Sequence, residues 1–319
     1  MRRALKALGY LLGAILLLVL LGFLFINFRG IPEYEVSDFD YHVVTTPESL
    51  ARGKKLTSTL CAGCHKSQKT GKLTGMRMLD VPAEFGIIYS QNITNHKIEG
   101  IGNWTDAEIV YLLRTGILRD GRYAPPYMAK LPHMADEDIN AIMSFLRSDD
   151  ALVAPDGTRD QPCEPSFLTK FLSNVAFKPF EMPTKPIPMP DPDNKVEFGK
   201  YLATNLDCFS CHSADFKTND YLNTELSPGY FGGGNKTLNV EGQIMLTANL
   251  TPDIETGIGA WDEAKFIKAV KFGLKDGEGA LQYPMMPYTL LTDYEISAIF
   301  SYLRTIPPIS NKVERSIYD

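Results

Sequence analysis

The chain has 319 residues, a length that allows roughly two domains of ordinary size. Hydrophobic residues make up 44% and charged residues 22%, an ordinary globular balance. The formal net charge is −6 and no basic stripe is present, which argues against a nucleic-acid partner and is compatible with a basic protein partner.

The first element is a different material from the rest. Residues 7–28, "ALGYLLGAILLLVLLGFLFINF", are apolar for 22 residues apart from Asn27. At about 1.5 Å per residue this spans a hydrocarbon core of roughly 30 Å. Arg2, Arg3 and Lys6 precede it. The positive-inside rule therefore puts the N-terminus in the cytoplasm and everything after Arg29 outside, in the periplasm if the membrane is a bacterial inner membrane. A cleaved signal peptide would carry an apolar core of about 7–15 residues and small residues at the cut. "FINFRGIPEYE" offers no such site, so an uncleaved single-pass anchor is expected.

Next, "PESLARGKKLTSTL" predicts a helix that leads into "CAGCH", Cys61 to His65. A second such unit, "CFSCH", runs from Cys208 to His212, so four of the five cysteines lie in two Cys-x-x-Cys-His units. Cys-x-x-Cys alone fits a thioredoxin-like pair, half a zinc site or c-type haem attachment. The adjacent His separates them. In a haem site the two thiols bond to the vinyl groups and the His binds iron from the proximal side. A thioredoxin pair needs a βαβ context that is absent here, and zinc sites pair units about 15–20 residues apart, far closer than these. Covalent haem attachment also suits the exported side of the membrane. Cys163 is left over and is expected to be a buried or loop thiol.

Downstream, "TDAEIVYLLRTG" predicts a helix capped by Thr105 with Glu108 reaching back and stopped by Gly116. "DEDINAIMSFLRS" places Ile139, Ile142, Met143 and Leu146 on one helical face. Residues 149–194 are Pro-rich at their end, "MPTKPIPMPDPDN", which predicts a semi-rigid surface strap. Within them, "SFLTKFLSNVAF" (166–177) reads as a short helix packed between domains.

The second half repeats the first. The Cys and His positions recur 147 residues later, and the offset then becomes 157: "NITNHKIEGIGNW" returns as "NLTPDIETGIGAW", and "DEDINAIMSFLRS" as "DYEISAIFSYLRT". Asp262 caps the equivalent of the middle helix and Gly273 ends it; the last helix repeats its face with Ile296, Ile299, Phe300 and Leu303. The extra residues of the second copy fall around "NTELSPGYFGGGNKT", by composition a Gly-rich surface loop. No alternating strand pattern stands out. "GIGNW" and "GIGAW" lack a G-x-G-x-x-G string and a preceding strand, so they read as tight turns delivering Trp104 and Trp261 to the core or a haem edge.

An all-α protein is therefore predicted: two tandem small helical domains after one transmembrane helix. The divisions are cytoplasmic N-terminus and anchor 1–29, juxtamembrane segment 30–47, first domain 48–148, linker 149–194, second domain 195–310 and tail 311–319. Cores this small are marginal by burial alone, and a bound haem would supply apolar mass.

The second axial ligand is expected from the loop before each last helix, and a Met there suits electron transfer. Met128 in "GRYAPPYMAKLPHMADED" and Met286 in "GALQYPMMPYTLLTDYE" are the candidates. Met285 aligns with Met128 without a gap; one extra loop residue makes the partner Met286, which is preferred. Met134 is expected to staple the last helix, and Met76 and Met78 to pack. His133 or His96 would give bis-His ligation of the first haem, but neither has a second-copy equivalent. His42 is expected at the surface.

Taken together, CxxCH, N-[IL]-T-x(5)-GIG-x-W, the Pro-Met loop and [DE]-[IL]-x-AI-x-[SA]-[FY]-LR resemble the class I-like cytochrome c domain. They are similar in particular to the multihaem cytochrome subunits of membrane-bound alcohol and gluconate dehydrogenases, over residues 48 to 307. The resemblance implies two covalent haem c groups. One is held by Cys61, Cys64, His65 and Met128, the other by Cys208, Cys211, His212 and Met286; His65, Met128, His212 and Met286 are the iron ligands. Those subunits carry three haem domains where this chain has two, and the first copy reads "YMA" where the family has Met-Pro. The expected function is single-electron transfer between a membrane dehydrogenase or quinol-oxidising complex and a soluble cytochrome or terminal oxidase. The rivals are a peroxidase-like or sulfur-oxidising dihaem enzyme with one open haem site, and a passive scaffold.

Overall fold

The computed structural model describes residues 2–125, 127–274 and 280–314, so the last five residues of the predicted tail lie outside the described residues. Helix α1 (Arg2–Arg29) is the apolar N-terminal segment, and it stands almost wholly clear of the rest of the chain. The chain then clasps the first domain. Val44 N–H donates to Asn140 Oδ1 at 2.8 Å and Asn140 Nδ2 returns the bond to the Val44 carbonyl at 2.7 Å.

Two equivalent helical units follow. In the first, α2 (Pro47–Leu60) runs into the short α3 (Ala62–His65), and α4 (Asp106–Thr115) and α5 (Asp136–Leu146) complete the bundle. After α6 (Phe167–Val175) and the Pro-rich strap, the order returns as α7 (Lys195–Asn205), α8 (Cys208–His212), α9 (Glu263–Phe272) and α10 (Asp293–Leu303). The caps are those the sequence predicts. Thr105 and Glu108 form a capping box, Asp262 accepts from Lys265 N–H, and Gly116 and Gly273 end their helices in the left-handed region.

The first and last helices of each unit cross at a glycine. A Cβ on Gly53 would lie 1.8 Å from the Ala141 carbonyl oxygen, and one on Gly199 would lie 1.9 Å from that of Ala298. Only hydrogen side chains allow this approach, which brings Leu56 and Leu202 into their cores. Each unit has its own core, built on Ile139, Ile142, Met143 and Phe145 in one and Ile296, Ile299, Phe300 and Leu303 in the other. Met134 is fully buried, as a staple should be, and His42 is exposed beside Asp40.

Among the described residues the chain is all-α apart from two short strand pairs, and one expectation needs correction. In the pairs, β1 (Gly86–Ile87) runs antiparallel to β2 (Glu164–Pro165), and β3 (Lys236–Leu238) to β4 (Ile244–Leu246). They are too short to leave a period-2 signal. The Gly-rich stretch is not merely surface loop. Phe231 is fully buried at φ 57°, in the place that Leu73 holds in the first unit. Its carbonyl accepts from Leu250 N–H at 2.8 Å, as that of Leu73 does from Ile93 N–H at 2.9 Å.

The two units meet through equivalent faces. Lys55 on α2 bonds Glu295 on α10 at 2.8 Å, and Tyr201 at the matching position of α7 donates to Asp138 at the matching position of α5 at 2.7 Å. Arg52 bridges both acids, at 2.7 Å to Asp138 and 2.9 Å to Glu295. Leu60 packs against both cores. Burial alone would raise the Glu295 carboxyl. The bonds from Lys55 and the Thr292 N–H, with the charges of Lys55 and Arg52, outweigh it and hold the group below the usual carboxylate range. A depressed acid stabilises the fold above its unfolded value of about 4.3 and loses that contribution as pH falls through its lower folded value. Acid loosening of the domain pair is therefore expected below about pH 4. Glu295→Gln should remove this acid step and cost about 3 kcal/mol at neutral pH, because it breaks a buried pair. Thermal unfolding followed against pH checks both.

Candidate functional site

The two CxxCH units sit on α2–α3 and α7–α8, where the helical turn brings the two cysteines of each motif, three residues apart, to one face. None of the four is in a disulfide, and all are half-buried except for the exposed Cys211. Burial pushes Cys61, Cys64 and Cys208 up to about 12, so they are protonated at neutral pH.

Each motif histidine is held by a main-chain carbonyl. His65 Nδ1 lies 2.7 Å from the Gln91 oxygen, and His212 Nδ1 lies 2.8 Å from the Ala248 oxygen. A carbonyl can only accept, so Nδ1 carries a proton in both rings. Burial lowers the His65 pKa, partly offset by the Gln91 bond, and keeps that ring neutral. This is the state a metal-ligating imidazole requires.

The repeated string N-x-T builds the clamp. Asn92 Oδ1 accepts from Thr94 N–H at 3.0 Å and Thr94 Oγ1 at 2.7 Å; Asn249 does the same with Thr251 at 2.9 and 2.7 Å. These buried turns immediately follow Gln91 and Ala248 and fix the two carbonyls. The GIG strings pack onto the same turns. A Cβ on Gly100 would lie 2.3 Å from the Thr94 oxygen, and one on Gly257 2.2 Å from that of Thr251. Trp104 and Trp261 pack against their own cores, under Arg119 and Lys265.

The methionine loops return to the motifs. Met128 borders the first core together with Ala62 of the first motif. In the second unit, Tyr288 is close enough to Cys208 and Cys211 that they act with burial to raise its hydroxyl pKa. The loop register is explicit. Ala124 N–H bonds the Gly116 carbonyl at 2.7 Å and Leu131 N–H that of Leu113 at 2.7 Å. Leu281 to Gly273 (2.7 Å) and Tyr288 to Val270 (2.9 Å) are the same bonds 157 residues on. Met128 N–H bonds Pro125 at 3.1 Å and Met285 N–H bonds Gln282 at 3.0 Å. No extra residue intervenes on either side, so Met285 holds the place of Met128. Met286, which the sequence favours, is 55% exposed. The gap it requires is closed by main-chain hydrogen bonds.

The histidine alternatives have other partners. His96 Nδ1 accepts from Glu99 N–H at 3.0 Å, and His133 Nε2 bonds the Tyr221 carbonyl at 3.0 Å across the domain boundary. Cys163 Sγ bonds the Tyr89 carbonyl at 3.2 Å, a loop thiol as expected. Asp80 went unnoticed in the sequence. Its charge acts with burial, the larger cause, to raise the Cys64 and Cys211 thiols, and it takes the Tyr283 hydroxyl. Gln91 and Ala248 were also missed, although the N-x-T string beside them was the signal.

The residues fit haem c. Each unit offers two cysteine side chains for thioether bonds, an imidazole fixed at Nδ1 by a main-chain carbonyl and a thioether side chain on a loop in matched register.

Comparison with known proteins agrees. The cytochrome c family model, "Cytochrome c", matches residues 50–149 and 196–307. The chain is 29% identical over 278 residues to the fructose dehydrogenase cytochrome subunit of Gluconobacter japonicus, covering 81% of this chain and 53% of that one. It is 28% identical over 272 residues to the cytochrome c subunit of the quinone-dependent alcohol dehydrogenase of Gluconacetobacter polyoxogenes (81% and 56%). It is 25% identical over 293 residues to the gluconate 2-dehydrogenase cytochrome c subunit of Pantoea cypripedii (88% and 63%). The chain thus spans a little over half the length of the first two relatives. With two family matches that together cover well over half of its residues, each on a CxxCH unit with a clamped histidine, the chain belongs to the cytochrome c family.

Proposed function

We propose that this protein is a membrane-anchored dihaem cytochrome that carries single electrons for a membrane dehydrogenase. Its acceptor is a soluble cytochrome or a terminal oxidase. The observation that supports this reading is the repeat of one arrangement, a carbonyl-clamped histidine (His65, His212) with a methionine at the matched loop position (Met128, Met285). Cys61 and Cys64 would hold one haem c, Cys208 and Cys211 the other. Haem c, when bound, supplies a one-electron iron couple. The chain's own residues do the rest. The Gln91 and Ala248 carbonyls orient the imidazoles and raise their basicity, and Met128 and Met285 would supply the second ligand to each iron. Six-coordination by His and Met favours electron transfer over substrate binding at iron.

The domain boundaries 48–148 and 195–310 follow the repeat. A quinol-oxidising complex is the other donor that would fit. α1 would span the inner membrane with its N-terminus in the cytoplasm and the haem domains in the periplasm, in keeping with Arg2, Arg3 and Lys6. The dehydrogenase partner rests on the names of the relatives.

Intact-mass measurement in denaturing solvent tests the cofactor count. The full chain should carry the mass of two haems, and the double variant Cys61→Ser/Cys64→Ser should carry one. A wild-type chain with fewer than two, or a variant that keeps both, contradicts the assignment.

A further inference from the structure

Helix α6 is amphipathic with the wrong face turned inward. Its buried residues are Thr169 (1% exposed) and Ser173 (0%). Four of its apolar residues face out: Phe167 at 37%, Leu168 at 37%, Phe171 at 41% and Val175 at 54%. Spacings of one, four and eight residues put these four on one stripe. The inner face is tied down by polar bonds. Ser166 Oγ and Thr169 Oγ1 donate to the carbonyls of Glu84 and Phe85, at 2.5 and 2.7 Å. A water-exposed helix gains nothing from this orientation, since it leaves the apolar stripe hydrated.

The stripe is continuous with α1. The Phe167 ring meets that of Phe23 at 4.5 Å between centroids. Lys170 Nζ bonds Asn27 at 3.4 Å, and Asn174 Nδ2 bonds the Gly30 carbonyl at 2.9 Å. Positions 167, 170 and 174 thus track 23, 27 and 30, and the two helices run side by side in the same direction. Phe23 lies about 9 Å below Arg29 along the α1 axis. Whatever solvent surrounds the last two turns of α1 also surrounds the outer stripe of α6. Lys178 lies near the C-terminal end of α6, its Nζ on the Asn174 carbonyl at 2.6 Å.

We propose that α6 is a second membrane contact, its Phe167, Leu168, Phe171 and Val175 stripe seated in the boundary between headgroups and acyl chains of the leaflet at the C-terminal end of α1. This rests on α1 as a spanning helix. The second contact would fix the tilt of the helical domains over the bilayer, which a single anchor leaves free to swivel.

The test is photo-crosslinking in the full chain, reconstituted alone in liposomes of phosphatidylethanolamine and phosphatidylglycerol. Benzoylphenylalanine replaces Phe171 in one variant and Leu168 in a second, so that one failed fold does not decide the matter. Leu17 in α1 and the exposed Leu222 of the second unit serve as controls. Lipid adducts at 171 or 168 at least about fivefold above those at 222 support the proposal. Adducts at 17 with none at 171 and 168 overturn it and leave the anchor intact. No adduct at any of these positions overturns both. Crosslinks from 171 and 168 to a second copy of the chain, in place of lipid, also overturn it.

Discussion

Met285→Ala is expected to convert one haem of the protein from a low-spin form to a high-spin form that binds carbon monoxide, whereas Met286→Ala leaves both haems low-spin. Loss of a Met ligand removes the group that raises the potential of a His-ligated iron, so one midpoint should fall by on the order of 0.1 V or more. Met128→Ala should do the same to the other haem. The distinction follows from loop register alone. The bonds from Leu281 to Gly273 and from Tyr288 to Val270 flank the loop and repeat those from Ala124 to Gly116 and Leu131 to Leu113. A thioether shifted by one residue would sit where Met286 sits, half in solvent. Absorption and EPR spectra of the three variants decide the point. The opposite pattern, in which Met286→Ala is the damaging change, would show that the loop reorganises when haem is attached.

The second large effect is steric. Gly199→Val and Gly53→Val should each destabilise their own domain by about 3 kcal/mol or more, a large share of the stability of a small domain. In each case the new carbon would fall within 2 Å of a main-chain oxygen, that of Ala298 or Ala141. The crossing helix cannot retreat freely. α10 carries Ile296, Ile299 and Leu303 into one core, and α5 carries Ile139, Ile142 and Phe145 into the other. Gly157→Ala is the control: its nearest neighbour would be His96 Nε2 at 3.5 Å, ordinary contact, and the change should stay below about 1 kcal/mol. Denaturant unfolding monitored by circular dichroism reads all three.

What was legible in the sequence was local. CxxCH, the capping box at Thr105, the helix faces of Ile139 to Leu146 and Ile296 to Leu303, and the repeat offset each lie within a dozen or so neighbouring residues or in a direct comparison of two strings. What escaped depends on contacts far apart in the chain. The register that puts Met285 in the place of Met128 is set by main-chain bonds to the end of α9. Phe231 looks like part of a Gly-rich loop until its carbonyl is seen to take the bond that Leu73 takes in the first unit. The interlocked Lys55–Glu295 and Tyr201–Asp138 pairs join residues whose equivalence the repeat implies but whose contact it does not. For α6 the sequence predicts a helix packed between the domains, whereas the structure sets it beside α1 and against the Glu84–Phe85 turn. Composition would bury Phe167 and Phe171, and the structure buries Thr169 and Ser173.

The central claim is two His–Met haems poised for electron transfer. The measurement that meets it most directly is a redox-poised absorption and EPR titration of the purified full chain, with and without carbon monoxide. Two low-spin haems, each with a methionine-to-iron charge-transfer band, positive midpoints and no carbon monoxide adduct, are the predicted result. A native haem that is high-spin or binds carbon monoxide would contradict it, and would turn the search from an electron donor towards a substrate.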